Sequence, residues 1–217
     1  MLRTVLCAAL VVLTVPIDTA VAQDNSSTDI AVEIDLSSSR AGAERVRELL
    51  EALRRRFDLA PFEYTRLVRI APNEVPHSHP VLTLNTSVRN EAGILLQYLH
   101  EQMHWYLTRL GTKAAPGSPL IAELQQMYPD APTTLPEGAR DQYSTYLHLI
   151  VNRLEIETAT QYLGRERAVA LALAQGHYRW IYRTVVADWE KLDAIYRRTE
   201  VAPIRPASSF SEATQPQ

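Results

Sequence analysis

The sequence predicts an α+β domain dominated by helices, with a small sheet packed on one central helix. Three observations predict it. Apolar residues recur at helical spacing through most of the chain, in segments bounded by Gly, Pro or a capping residue. β-type alternation is confined to short runs between residues 64 and 86. A chain of 217 residues that is 46% apolar and 22% charged has the length and composition to close one core.

The elements follow in order. Residues 23–39 are polar and Ser-rich and read as a flexible lead-in. Val46, Leu49, Leu50 and Leu53 among Arg and Glu predict an amphipathic helix over residues 41–57. Tyr64 to Ile70 alternates as a strand, Pro72, Asn73, Pro76 and Pro80 punctuate a loop, and Val81 to Thr86 reads as a second short strand. A strong helix runs from Asn90, its N-cap, to Leu110, with Gly111 just beyond its end. Residues 111–140 are punctuated by Pro and Gly around a short helix from Leu120 to Met127. A long helix spans Asp141 to Leu163 and stops at Gly164. A shorter one spans Glu166 to Gln175. Tyr178, Ile181, Val185, Trp189, Leu192 and Tyr196 mark one last amphipathic helix. The folded domain is expected over residues 40–200 and a disordered tail over 201–217.

Residues 1–22 read as a secretory signal peptide. Arg3 supplies the positive start, Val5 to Val15 the apolar run, Pro16 the break, and Ala20-Val21-Ala22 the small-residue cleavage site. Cleavage after Ala22 implies a periplasmic or secreted protein. It also removes Cys7, the only cysteine, so disulfides and thiolate metal ligands are excluded from the remainder. Any metal must then be held by His, Asp or Glu. A net charge of −3 with no block of like charge speaks against a nucleic-acid binder. No apolar run reaches the roughly 18 residues of a membrane span.

The chemistry is carried by His100-Glu101-Gln102-Met103-His104, an H-E-x-x-H. Residues i and i+4 lie one above the other on a helix, so two imidazoles there can share one Zn²⁺. Glu101 is about 100° further round, placed to take a proton from a zinc-activated water without becoming a ligand. His100 and His104 share a stripe with Leu96, Met103 and Leu107, which turns them inward. Two imidazoles in a core stripe need partners. The alternative to metal is a pair of core histidines satisfied by hydrogen bonds.

With this motif on a core-facing helix behind a short strand, the chain resembles the zincin metallopeptidases. The flanks HEQMHWYL and YLHLIVNRLE are also similar to those of small bacterial zincin-like proteins. The resemblance implies a zincin-like fold, a zinc ion, and a peptide or protein substrate added as a strand along residues 81–86. Leu107 and Leu110 stand where the metzincin extension has Gly and His, so that class is excluded. Gly138-Ala139-Arg140-Asp141 resembles the G-x-x-D of aspzincins, but Asp141 serves equally well as a helix N-cap. The gluzincin pattern remains, whose third ligand is a Glu on a downstream helix.

That helix offers His148, Glu155 and Glu157. Glu157 pairs with Arg153 one turn away and reads as a solvated ion pair. Glu155 shares a largely uncharged face with His148, Val151, Asn152, Ala159 and Tyr162, where a carboxylate needs a partner or a metal. Glu155 and His148 are about 10.5 Å apart along the axis and do not easily bind one ion together. Glu155 is the first choice for third ligand and His148 the rival; the other of the two is expected to support the ligands from behind or to donate a hydrogen bond to the transition state, and Asn152 is a candidate for support from behind. His177 and Tyr178, after Gly176, are the candidate oxyanion donors. His77 and His79 read as surface loop. The expected function is a zinc-dependent hydrolase, a peptidase with Glu101 as general base. A non-catalytic zincin-like binding module and an amidase for a non-peptide or cell-wall substrate are the alternatives.

Overall fold

The structure, a computed structural model, describes residues 31–34, 40–88 and 90–210. The signal peptide read at residues 1–22 lies outside them. The fold is α+β and helix-dominated, with a three-stranded parallel sheet in the order β1 (Ala31–Ile34), β2 (Leu67–Ile70), β3 (Leu82–Leu84). Strand β1 falls inside the segment expected to be a flexible lead-in. It pairs with β2 from Ala31 opposite Leu67 to Ile34 opposite Ile70. Ala-Val-Glu-Ile is too short a run to stand out among Ser and Asp, and the neighbouring strand supplies what its own sequence lacks.

Helix α1 (Arg40–Arg56) crosses between β1 and β2 and completes a β-α-β unit. It buries Val46, Leu49, Leu50 and Leu53. Its end is tied down by Arg54, whose Nε and Nη2 donate to the two oxygens of Glu63 at 2.8 and 3.1 Å. The connection from β2 to β3 carries no helix. It folds back instead, so that His77 and Thr83 exchange both backbone hydrogen bonds, at 3.2 and 2.8 Å.

Helix α2 (Glu91–Arg109) begins where Asn90 Oδ1 accepts from the Gly93 N–H and ends before Gly111, whose φ of 68° suits a residue without Cβ. It is buried on most of its circumference, from Ile94 to Leu107, and packs against α4 (Gln142–Leu163). That second inner helix starts at Asp141, whose carboxylate accepts from the Ser144 N–H at 2.6 Å, and stops at Gly164 with φ of 77°. Helix α3 (Pro119–Met127) lies against α4, as do α5 (Arg165–Leu173) and α6 (Arg179–Ala187).

The last helix of the sequence reading is two. α6 ends and α7 (Trp189–Arg198) begins at Asp188, which accepts from Tyr128 Oη at 3.0 Å and from Lys191 Nζ at 2.6 Å. The apolar stripe continues across this break, which hides it from periodicity. The tail is also ordered as far as residue 210. Val201 and Ala202 are buried, Tyr106 Oη donates to the Val201 carbonyl at 2.8 Å, and Phe210 packs edge-on to Tyr64 and Tyr106. Among the described residues no helix is long and apolar enough to cross a membrane.

Candidate metal centre

His100 and His104 project from α2 one turn apart, with ring centroids 5.1 Å from each other. His148, from α4, stands 5.5 Å from His100 and 5.1 Å from His104. One ring nitrogen from each comes within 4.8 Å of the others, the arrangement that three ligands of one ion require. Two of the three rings have their other nitrogen engaged. His148 Nδ1 lies 2.6 Å from the Ser144 carbonyl, which can only accept, so Nδ1 carries the proton and Nε2 keeps its lone pair. His100 Nδ1 lies 2.9 Å from Glu155 Oε2, an oxygen that also accepts from Tyr182 Oη at 2.9 Å. The ring is accordingly the donor, and its Nε2 is free for a metal.

The structure thus places Glu155 behind His100, not among the converging nitrogens. His148 completes the three-imidazole cluster, and Glu155 holds the His100 ring from behind. Carboxylate–histidine pairs of this kind fix ring tautomer and raise ligand basicity. Asn152 is fully buried between them, and neither of its amide atoms has a partner among the described residues. Asp141 is a helix cap. Glu157 pairs with Arg153, but that pair is not solvated: Arg153 is buried, lies 3.4 Å over the Trp189 ring and also bonds Asp193.

Burial governs the protonation of the group. It holds the His100 imidazole down to about 4 and the His148 imidazole to about 3, and drives His104 well below its usual value, with neighbouring imidazoles adding to the effect on His104 and His148. All three are therefore neutral at physiological pH, the form that binds metal. Burial raises Glu101 to about 8, helped by the charge of Glu155, and burial raises Glu155 to about 8 against the hydrogen bond from Tyr182. A divalent cation bound among the imidazoles would supply the charge that lets Glu101 ionise.

The cluster lies in a cavity of about 1170 Å³ that all six histidines of the chain line, together with Glu101, Tyr178 and Tyr182. Tyr178 has a left-handed backbone, φ 54° and ψ 32°, uncommon for a residue with a Cβ. Its ring lies 4.3 Å from His148 and 6.1 Å from His100. The Arg179 and Trp180 N–H groups that follow donate to the carbonyls of Pro136 and Glu137, so the start of α6 is capped by the segment before α4. His177 is exposed at the cavity edge, its ring 4.9 Å from that of Tyr178.

On the sheet side, His79 stacks on Trp105 at 4.3 Å, its Nε2 is 3.0 Å from Thr108 Oγ1, and Trp105 Nε1 donates to the Ser78 carbonyl. His77 and His79 stand in the loop before β3, as read from the sequence, with His79 exposed; they line the cavity but are not among the converging nitrogens. Sequence reasoning missed Tyr182 and Arg140 as lining residues. Tyr182 stands one turn after Tyr178, a spacing that could have marked it; Arg140 carries no such signal. No family model matches this chain, and neither a curated protein nor a solved structure does.

Proposed function

We propose that this protein is a zinc-dependent hydrolase that cleaves amide bonds, a peptidase of zincin type. The observation that carries the reading is the convergence of His100, His104 and His148 beside Glu101, with the second nitrogens of His100 and His148 already committed elsewhere. In this reading the three imidazoles hold the ion, and Glu155 and Ser144 hold two of the imidazoles. Bound there, zinc would supply Lewis acidity and lower the pKa of a water. Glu101 accepts the water's proton as the bond to carbon forms and delivers it to the departing amine. The Tyr178 hydroxyl, with His177 behind it at the cavity edge, donates to the oxygen on which negative charge builds. The leader read at residues 1–22 puts this activity in the periplasm or outside the cell.

A second observation bears on the substrate. At Thr83 the outer edge of β3 is occupied by His77. The covering segment offers little in its place: Pro76 has no N–H, and the Ser78 carbonyl accepts from Trp105. This favours a short or non-peptide amide over an extended chain added as a strand, and keeps the amidase reading beside the peptidase one. The test of the activity is Glu101→Gln. It should retain about one zinc per chain by elemental analysis and lose hydrolysis of any amide the wild type cleaves. Turnover at the wild-type rate would defeat the mechanism.

A further inference from the structure

With the strand edge filled, a substrate must be held by something other than backbone pairing. Of the residues lining the cavity, the carboxylates are Glu101 and Glu155, both buried at its base, and the one residue with a fixed charge is Arg140. Its side chain is 87% exposed and touches the neighbouring Asp141 through Nε at 3.3 Å, which leaves the guanidinium fork in solvent.

The mount of Arg140 is rigid. A Cβ at Gly138 would come within 1.9 Å of the Pro132 carbonyl oxygen, so the turn closes only on glycine. Thr145 Oγ1 donates to that same carbonyl at 2.7 Å and accepts from the Ala139 N–H at 2.9 Å. Glu137 binds Arg179 and Arg183 of α6, each at 2.6 Å. A mobile side chain on a fixed base, at the mouth of a cavity whose wall carries no other fixed charge, is suited to reading a charge on the ligand.

We propose that Arg140 is a specificity-determining residue that pairs with a carboxylate of the substrate, so that the cleft prefers amides carrying an acid close to the bond that is cut. The proposal rests on the hydrolase reading above. The acid could be a free C-terminus or an acidic side chain, and both present the planar pair of oxygens that a guanidinium fork matches.

The experiment uses the zinc-loaded Glu101→Gln protein, which binds without cleaving, and titration calorimetry with three probes: N-acetyl-Ala-Phe-Ala as the free acid, the same peptide as its C-terminal amide, and N-acetyl-Ala-Phe-Glu amide. One or both acids should bind about fivefold more tightly than the neutral amide, the gain of a single well-placed ion pair. The preferred acid tells a terminal carboxylate from a side-chain one. Adding Arg140→Ala should bring the three affinities together, and Arg140→Lys should keep part of the preference. An acid preference that survives Arg140→Ala overturns the proposal, since an acid drawn to the zinc itself would behave that way; so does the absence of binding by all three at millimolar concentration. Zinc content of the same samples separates the failures. Zinc-loaded protein without the preference removes the role of Arg140 alone, whereas protein that takes up no zinc removes the hydrolase reading and this proposal with it.

Discussion

Glu155 and His148 illustrate what a single residue's surroundings decide. Both lie on the buried face of α4, and spacing alone cannot say which of two groups seven positions apart reaches the motif histidines. The pairing of Glu155 with His100 and Tyr182 decides it, and that contact depends on where α6 packs, which no local pattern encodes. The motif residues themselves, His100, Glu101 and His104, were legible because their chemistry is written at one-turn spacing on one helix. Three substitutions separate the roles. His148→Ala should abolish stoichiometric zinc binding. Glu155→Ala should weaken it about 10- to 100-fold, the usual cost of losing a carboxylate behind a ligating histidine. Glu157→Ala should leave zinc affinity near wild type, since its partner Arg153 belongs to a different cluster with Asp193 and Trp189. Competition with a chelating dye measures all three. Retention of zinc by His148→Ala would return Glu155 to the ligand set.

At the scale of an element, helix α2 serves two neighbours from opposite sides of the same motif. His100 and His104 turn toward α4, while Gln102 turns toward the entry of β2. Gln102 Oε1 accepts from the Tyr64 and Thr65 N–H groups at 2.8 and 3.1 Å, and Nε2 donates to the Thr65 carbonyl at 2.9 Å. Gln102→Ala strands those buried backbone groups and should destabilise the fold by about 3 kcal/mol, with the loss read in urea midpoints. A value under about 1 kcal/mol would mean that water replaces the amide. The helices were readable because caps and glycines bound them: Asn90, Asp141, Gly111 and Gly164 all sit where their side chains, or lack of one, require. What escaped were features set by distant partners. β1 exists because β2 is beside it, the break at Asp188 is held by Tyr128 at the end of α3, and residues 201–210 are fixed by the hydroxyls of Tyr64 and Tyr106.

For the whole molecule, the buried titratable cluster makes stability depend on pH, and the proposed zinc site would couple it to metal as well. The cluster imidazoles titrate below their ordinary 6.5, so as pH falls through that value the unfolded chain takes up protons the folded one refuses, and stability falls. Glu101 and Glu155 titrate near 8, above their ordinary 4.5, so their contribution is present at low pH and is lost as pH rises toward 8. The two trends cross, and the metal-free protein should have its highest melting temperature at about pH 6. Zinc at the proposed site would favour the ionised carboxyls and bind only the folded chain, so it should raise the melting temperature and move the maximum above pH 7. Calorimetry with and without chelator across pH 4.5–8.5 checks both; a maximum that zinc does not move would contradict this linkage. The gathering of all six histidines around one cavity has a spectroscopic consequence as well. Every imidazole resonance of the molecule originates from that cleft, so the histidine ring signals of its NMR spectrum report on the site with no histidine background from the remaining surface. A paramagnetic ion such as cobalt bound at the proposed centre would grade those six signals by distance, and so map the centre without a label.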